Sequence, residues 1–166
     1  MTIKQHLATC GIRLDPIHRP EVLRLLREER DRIRNDRDHP DEPNAGCEFM
    51  LLYCFQLFCL GYVEDCLPIW RAKETNFDSA CYLDFDLTLG AGIPATIEYL
   101  ETIVQDKDTD APTFKDAHNL LYQIRTRAGT GDLTNHESRE EFQVFWERYF
   151  AGWEDESTST GQGEEP

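Results

Sequence analysis

The chain has 166 residues, of which 40% are hydrophobic and 30% charged, and its formal net charge is −15. A chain of this length can build one domain around its own hydrophobic core. Its longest apolar run, residues 49–60, is shorter than the ~20 residues that cross a bilayer, so we expect no membrane partner. The N-terminus lacks an apolar signal segment, and we therefore expect a cytoplasmic protein.

The negative charge is concentrated in the second half of the chain. Residues 1–73 hold 11 basic and 12 acidic residues, a net charge of −1, whereas residues 74–166 hold 6 basic and 20 acidic residues, a net charge of −14. Such a surface repels nucleic-acid phosphates and attracts basic proteins. We therefore expect no nucleic-acid partner and favour a basic protein as partner, with solubility alone as the other interpretation.

The first part of the chain predicts two helices. Thr2 is typical of a helix cap and Gly11 of a helix end, so residues 2–9 form a short first helix. Pro20 suits the first turn of a helix, and apolar residues then recur along one face of residues 20–35. A polar loop follows at residues 36–45.

The central stretch, residues 46–61, is apolar almost all round, and only Glu48 and Gln56 interrupt it. A helix that is hydrophobic on every face must be buried, so the rest of the chain is expected to pack around it. Gly61 turns the chain back into a second helix over residues 62–73, which makes the pair an αα-hairpin.

Two features leave alternatives open in the middle of the chain. Pro68 lies inside the second helix, which is therefore either kinked or begins later. Residues 80–89 partly alternate apolar and polar residues, as a strand does, but no second strand lies nearby to pair with it. We therefore predict a short helix there, capped near Asn76, with Cys81, Leu83 and Leu87 facing inward.

Three more helices complete the prediction. They begin near Pro94, at Phe114 and near Asn135 or Ser138, and an acidic loop covers residues 106–113. The last helix carries a dense apolar stripe, which consists of Phe142, Phe145, Trp146, Tyr149, Phe150 and Trp153. The fold class is all-α: an irregular array of about six to seven helices, stacked as antiparallel αα-hairpins at 46–73, 80–105 and 114–153. Residues 1–153 form a single domain, and the acidic tail 154–166 is expected to be disordered.

The cysteines and histidines do not predict a metal or cofactor site. The six cysteines contain no C-x-x-C pair, and the five histidines show no ligand spacing near them. Most of the cysteines lie in the two central helices, where a free thiol packs as a small apolar side chain. We therefore expect reduced thiols, no disulfide framework and no cofactor.

Residues 82–89 read Tyr-Leu-Asp-Phe-Asp-Leu-Thr-Leu, which resembles the D-x-D-x-T motif of haloacid dehalogenase-like phosphatases. That resemblance implies Asp84 as nucleophile, Asp86 as general acid and a magnesium ion beside them. The motif needs a buried parallel strand before it, and the surrounding sequence predicts helices without alternating strands. We keep a magnesium-dependent phosphatase as an alternative function.

A second resemblance covers residues 55–73, the Asn-Phe-Asp at 76–78 and the Leu-Gly-Ala-Gly at 89–92. These stretches look like a group of small uncharacterised bacterial proteins, similar in size and acidity to the immunity proteins that accompany polymorphic toxins. The resemblance implies a non-enzymatic immunity protein that binds and neutralises a cognate toxin domain. A general helical adaptor without a toxin partner is the remaining alternative.

A protein that binds a basic domain needs carboxylates for encounter and aromatic anchors for lifetime. The aromatic candidates are Tyr99 and Tyr122, with Phe145 and Trp153 as further possibilities. The candidate carboxylates are Asp84, Asp86, Glu98, Glu101, Asp106, Asp108 and Asp110.

Overall fold

A computed structural model describes residues 2–35, 45–133 and 139–155, and in these ranges every regular element is helical. The eight α-helices of these ranges are α1 Ile3–Cys10, α2 Arg19–Asn35, α3 Ala45–Leu60, α4 Cys66–Lys73, α5 Phe77–Tyr82, α6 Ile93–Gln105, α7 Ala111–Thr130 and α8 Arg139–Asp155. Short 3₁₀ turns precede α2 at Pro16–His18, precede α4 at Val63–Asp65 and follow α5 at Phe85–Leu89. The all-α prediction is confirmed.

Some predicted features lie outside the described residues. They are the polar loop after α2, the caps at Asn135 and Ser138, and residues 156–166 of the acidic tail. The start of that tail, Glu154 and Asp155, belongs to the last turn of α8. No helix among the described residues combines the length and apolar character needed to span a membrane.

Helix α3 is the centre of the first of two hydrophobic clusters. Its residues from Met50 to Phe58 are all buried, and α1, α2 and α8 pack around it. Both polar atoms of the buried Gln56 amide have a partner: its Nε2 donates to the Gly11 carbonyl at 2.7 Å, and its Oε1 lies 2.9 Å from His6 Nε2. The single polar residue in the middle of this helix therefore ties the end of α1 to the core.

Helix α4 lies between the two clusters and contributes side chains to both. Ile69 and Ala72 pack into the cluster around α3, whereas Leu67 and Trp70 face a second cluster. The second cluster is built from α4, α6, α7 and the 3₁₀ turn Phe85–Leu89. Helices α6 and α7 thereby pack against α4 in a cluster separate from the one around α3.

The helix pairing differs from the prediction. The most extensive contacts between helices join α6 to α7 and α2 to α3. The predicted hairpins at 46–73, 80–105 and 114–153 are therefore displaced by one helix along the chain. A helix that is apolar all round accepts neighbours on any face, so the sequence does not specify which neighbour packs against it.

Several local boundaries are settled by the structure. Pro68 lies in the first turn of α4, which begins at Cys66 instead of residue 62 and is not interrupted by the proline. Residues 80–89 are helical but divided, because Leu83 is extended between α5 and the following 3₁₀ turn. Asp110 caps α7, so the acidic loop ends earlier than predicted. Cys81, predicted to face inward, is exposed.

The C-terminal end of α3 is held by two close contacts. Arg139 Nη2 donates to the carbonyls of Phe58 and Cys59, each at 3.2 Å. Gly90 packs directly on the backbone here, and a Cβ at this position would lie 2.8 Å from the Phe58 oxygen. Position 90 therefore has no room for a side chain.

Replacing Gly90 with alanine should lower the free energy of unfolding by about 1–3 kcal/mol, because the added methyl group must displace the backbone of α3. The matched control is Gly129→Ala in α7, where a Cβ meets nothing within 4 Å. That change should be neutral or stabilise by about 0.5–1 kcal/mol, since glycine disfavours a helix interior. Urea denaturation measures both, and equal effects would contradict the packing described.

An ion pair between the half-buried Arg19 and the buried Asp65 joins α2 to the turn before α4. Arg19 donates to both carboxylate oxygens of Asp65, at 2.6 and 3.0 Å, and its guanidinium lies 4.6 Å from the centre of the Tyr62 ring. The Asp65 side chain is only 2% exposed. Burial raises the pKa of Asp65, and the hydrogen bonds from Arg19 oppose that rise.

Replacing Arg19 with methionine should destabilise the protein by about 3 kcal/mol near neutral pH, because the Asp65 carboxylate stays buried without a partner. An acid whose pKa is raised in the folded state costs stability only while it is ionised. The deficit relative to the native protein should therefore shrink as pH falls from about 7 to about 4. Thermal denaturation across this range tests the sign, and a deficit that grows on acidification would refute it.

Candidate functional site

The tip of the α6–α7 hairpin carries three aspartates and one lysine, Lys107, and is acidic overall. Asp106, Asp108 and Asp110 are all exposed on the loop between the two helices. Asp106 accepts the Asp108 N–H at 3.0 Å, and Asp110 accepts the Thr113 N–H at 2.9 Å. The backbone hydrogen bond from Thr113 lowers the pKa of Asp110. Two of the three carboxylates are thus fixed by the backbone.

The carboxylates of α6 are of two kinds. Glu98 is exposed. Glu101 is paired with Arg125 of α7, so its charge is largely compensated. The structure thus brings Glu98 and the loop aspartates onto one hairpin, whereas Glu101 helps to hold its two helices together.

An aromatic row runs along the exposed side of α7. Phe114, His118 and Tyr122 follow one another at four-residue spacing, which places them on one helix face. Phe114 is 41% exposed and Tyr122 62% exposed, and the Phe114 and His118 rings stack at 6.0 Å. We call Asp106, Asp108, Asp110 and this row, with Glu98, the hairpin surface.

Phe114, at which the sequence predicts this helix to begin, lies outside the buried face of α7. The buried face of α7 consists of Ala117, Leu120, Leu121 and Ile124. Tyr99, in contrast, is half-buried against the second cluster, and burial raises its phenol pKa. Tyr122 is therefore the more accessible of the two predicted tyrosine anchors.

Asp84 and Asp86 lie at the other end of α7 from the acidic tip. Burial and the charge of Arg127 lower the pKa of Lys73, and the negative charge of Asp84 partly opposes that shift. The Arg127 guanidinium lies 4.4 Å from the centre of the Phe85 ring. Arg127 is 17 residues further along α7 than its cap, Asp110. At 1.5 Å per residue this separation is about 25 Å, so these two carboxylates are not part of the hairpin surface.

The local geometry of Asp84 is that of a cap. Its carboxylate accepts the Asp86 N–H at 3.0 Å and begins the 3₁₀ turn Phe85–Leu89. A phosphatase of the resembled family needs a strand ending at this aspartate, but the preceding residues form α5. Lys73 Nζ donates to the carbonyls of Ala80 and Leu83. Within the described residues, no group of three or more metal-ligating side chains comes together.

The buried cysteines are not reactive. All six cysteines are free thiols in the structure. Burial raises the pKa of Cys59 to about 11 and that of Cys66 to about 12, and Cys54 is shifted in the same direction. Because the thiolate is the nucleophilic form, these thiols are inert near neutral pH.

A second exposed surface lies on α8. Its apolar stripe divides in two: Phe142, Trp146 and Phe150 are buried, whereas Phe145 and Tyr149 face outward. Phe145 was considered as an anchor, but the surface as a whole was not predicted. The available signal was the width of the stripe, which exceeds what one buried helix face can hold. The Trp153 side chain, another predicted anchor, lies outside the described part.

Comparisons with models of protein families, with curated proteins and with solved structures gave no significant match.

The capping role of Asp84 can be separated from a nucleophilic role by two substitutions. Asp84→Ala should destabilise the protein by about 1 kcal/mol, because the N–H of Asp86 loses its acceptor. Asp84→Asn should be nearly neutral, since asparagine also caps helices well. Chemical denaturation measures both. A phosphatase activity of the native protein that disappears in Asp84→Asn would contradict the structural role.

Proposed function

We propose that this chain is an immunity protein that binds a basic cognate toxin domain through the hairpin surface and thereby neutralises it. The observation that carries the proposal is the combination, on one α-helical hairpin, of exposed carboxylates at the tip with an exposed aromatic row beside them. The resemblance at residues 55–73, 76–78 and 89–92 supports the immunity role.

Charge supports the first step of binding. A net charge of −15 attracts a basic domain over long distances and orients it before contact. The aspartates of the loop lie at the end of the hairpin, where an approaching partner meets them early. Electrostatic complementarity of this kind raises association rates and selects partners by charge.

The aromatic row supports the second step. Tyrosine and other aromatic side chains carry much of the binding energy in protein interfaces. Tyr122 and Phe114 are exposed without forming part of either hydrophobic cluster. Burying them against a partner would gain apolar contact without disturbing the fold of the chain.

Neutralisation follows from where the carboxylates would be placed. The cationic site of a toxin that acts on phosphate-containing substrates, such as a nuclease, offers arginines and lysines arranged for anions. Carboxylates on a rigid loop can occupy that site and exclude the substrate. A helical adaptor, the alternative, would bind without lowering its partner's activity, so the two functions differ in a direct assay.

The proposal is tested with the product of the neighbouring gene. The triple variant Glu98→Lys, Asp108→Lys, Tyr122→Ala changes three exposed hairpin residues and avoids the capping aspartates. Its affinity should fall about 100-fold or more, mostly through slower association for the charges and faster dissociation for the tyrosine. Calorimetry measures the affinity, and an assay of toxin activity should show lost protection.

The matched control is Asp78→Lys, Asp132→Lys, which reverses two exposed carboxylates away from the hairpin surface. It should retain affinity within about threefold, apart from a small change in long-range attraction. Equal losses in both variants would show that net charge alone, and not this surface, determines binding. Unchanged affinity in the triple variant would overturn the proposal.

A further inference from the structure

A cleft beside the tip of the α6–α7 hairpin gathers positive charge in a chain that is acidic overall. It has a volume of about 570 Å³ and lies where the last turns of α2 and α4 meet the first turns of α7. Cavities that hold small molecules span roughly 300–1,000 Å³, so this cleft has a suitable size. Four cationic side chains from three helices line it: Arg30, Arg34, Arg71 and Lys115.

The cleft follows from the packing of these three helices. Both α2 and α7 have extensive contacts with α4, whereas α2 and α7 are not in extensive contact with each other. The space between α2 and α7 is therefore bounded by the end of α4, from which Trp70 and Arg71 line the cleft. Trp70 also packs in the second hydrophobic cluster, so this side of the cleft is fixed to the core.

Arg71 is held in position on the α4 side of the cleft. Its Nε donates to Asp116 Oδ2 at 2.7 Å, and its Nη2 donates to Thr113 Oγ1 at 3.0 Å. A guanidinium has five N–H donors, so these two bonds leave further donors for a ligand. Because the protein already orients the side chain, a ligand that accepts from it does not have to immobilise it.

The other three cations are less compensated than Arg71. Arg30 reaches a single oxygen of Asp31, at 3.1 and 3.3 Å, which is longer than the ~2.8 Å of a strong charged hydrogen bond. Arg34 lies one helical turn beyond Arg30, on the same face of α2. Arg34 and Lys115 are exposed, and within the described residues neither forms an ion pair.

Three carboxylates also line the cleft, and two of them are engaged by the protein itself. Asp116 accepts from Arg71, and Asp110 accepts the Thr113 N–H as the cap of α7. Glu74 is exposed at the end of α4. The lining therefore has a formal charge of +1 in a chain whose net charge is −15, and its uncompensated groups are mostly cations.

We propose that this cleft binds a small phosphate-bearing anion. A phosphoryl group is tetrahedral, and its several acceptor oxygens can meet donors that arrive from three helices. A carboxylate offers only two oxygens in one plane, so it fits this arrangement less well. The guanidinium fork of arginine matches the spacing of phosphate oxygens, and Arg30, Arg34 and Arg71 supply three such forks.

The acidic surroundings restrict the size of the ligand. Asp110 borders the cleft, and Asp106 and Asp108 are exposed on the loop that precedes it. A nucleic-acid strand extending out of the cleft would meet these carboxylates and be repelled, whereas a small anion would stay among the cations. The inference does not rest on the proposed function, because the cleft requires no protein partner.

The test is calorimetric titration of the full chain with sodium pyrophosphate at about 50 mM salt, where charges are weakly screened. The native chain should bind one pyrophosphate with a dissociation constant below about 1 mM. The double variant Arg34→Gln, Lys115→Gln should weaken binding at least about tenfold, because it removes two cations that form no ion pair in the described structure. Glu74→Gln should tighten binding about threefold, because it removes a like charge from the cleft.

The matched control is Lys107→Gln, Arg148→Gln, which removes the same number of exposed cations outside the cleft. It should retain affinity within about twofold, since only long-range attraction changes. Circular dichroism and thermal denaturation identify a folding defect in any variant, and the gain expected for Glu74→Gln cannot result from misfolding.

Three results would each overturn the proposal. They are a native chain that binds no pyrophosphate at up to about 5 mM, equal losses in the cleft variant and its control, and citrate bound as tightly as pyrophosphate. The last result would assign the cleft to carboxylates instead of phosphates. The titration uses the chain without a toxin, so failure here leaves the proposed function standing, and failure of toxin binding leaves this inference standing.

Discussion

The structure depends on enclosing α3. Nine consecutive residues of this helix, Met50 to Phe58, are buried, so neighbours must cover every side of it. Helices α1, α2 and α8 meet that requirement, and the 3₁₀ turn after α5 contributes Leu87. The single polar side chain in the enclosed stretch, Gln56, is compatible with burial only because His6 and Gly11 satisfy its amide. The N-terminal segment is therefore part of the core.

Helix α4 determines where the α6–α7 hairpin packs. Its second face packs Leu67 and Trp70 against the α6–α7 hairpin, which leaves the other side of that hairpin exposed. Exposure places Asp108 and Tyr122 at the surface without cost to the core. The same logic applies to α8, which encloses α3 with Trp146 and Phe150 and leaves Phe145 outside. The α6–α7 hairpin and α8 thus each bury one face in a hydrophobic cluster and expose another face, and the two exposed faces differ in charge pattern.

Local signals in the sequence predicted much of this fold correctly. Thr2 is the expected cap of α1, where it forms a capping box with Gln5, Asn76 caps α5, and Gly61 ends α3 in a left-handed conformation. These features depend on a few neighbouring residues and on backbone chemistry, which a sequence displays directly. Helix pairing was predicted less well, because α3 offers no preferred face from which its neighbour could be inferred.

In the candidate site, too, local features were predicted well and long-range placement was not. Asp106, Asp108 and Asp110 were grouped correctly because they share one short loop. Asp84 was grouped with them by charge alone, and only the path of α7 reveals a separation of about 25 Å. Phe114 opens the apolar pattern of α7 and yet is exposed, because periodicity does not distinguish the edge of an apolar face from its centre.

Hydrogen–deuterium exchange of the full chain, with and without the proposed toxin partner, tests the central claim most directly. The account predicts that partner binding slows amide exchange between residues 98 and 122, along the outer side of the α6–α7 hairpin. Protection confined to residues 77–86 or to α8, with the hairpin exchanging as in the free protein, would contradict it.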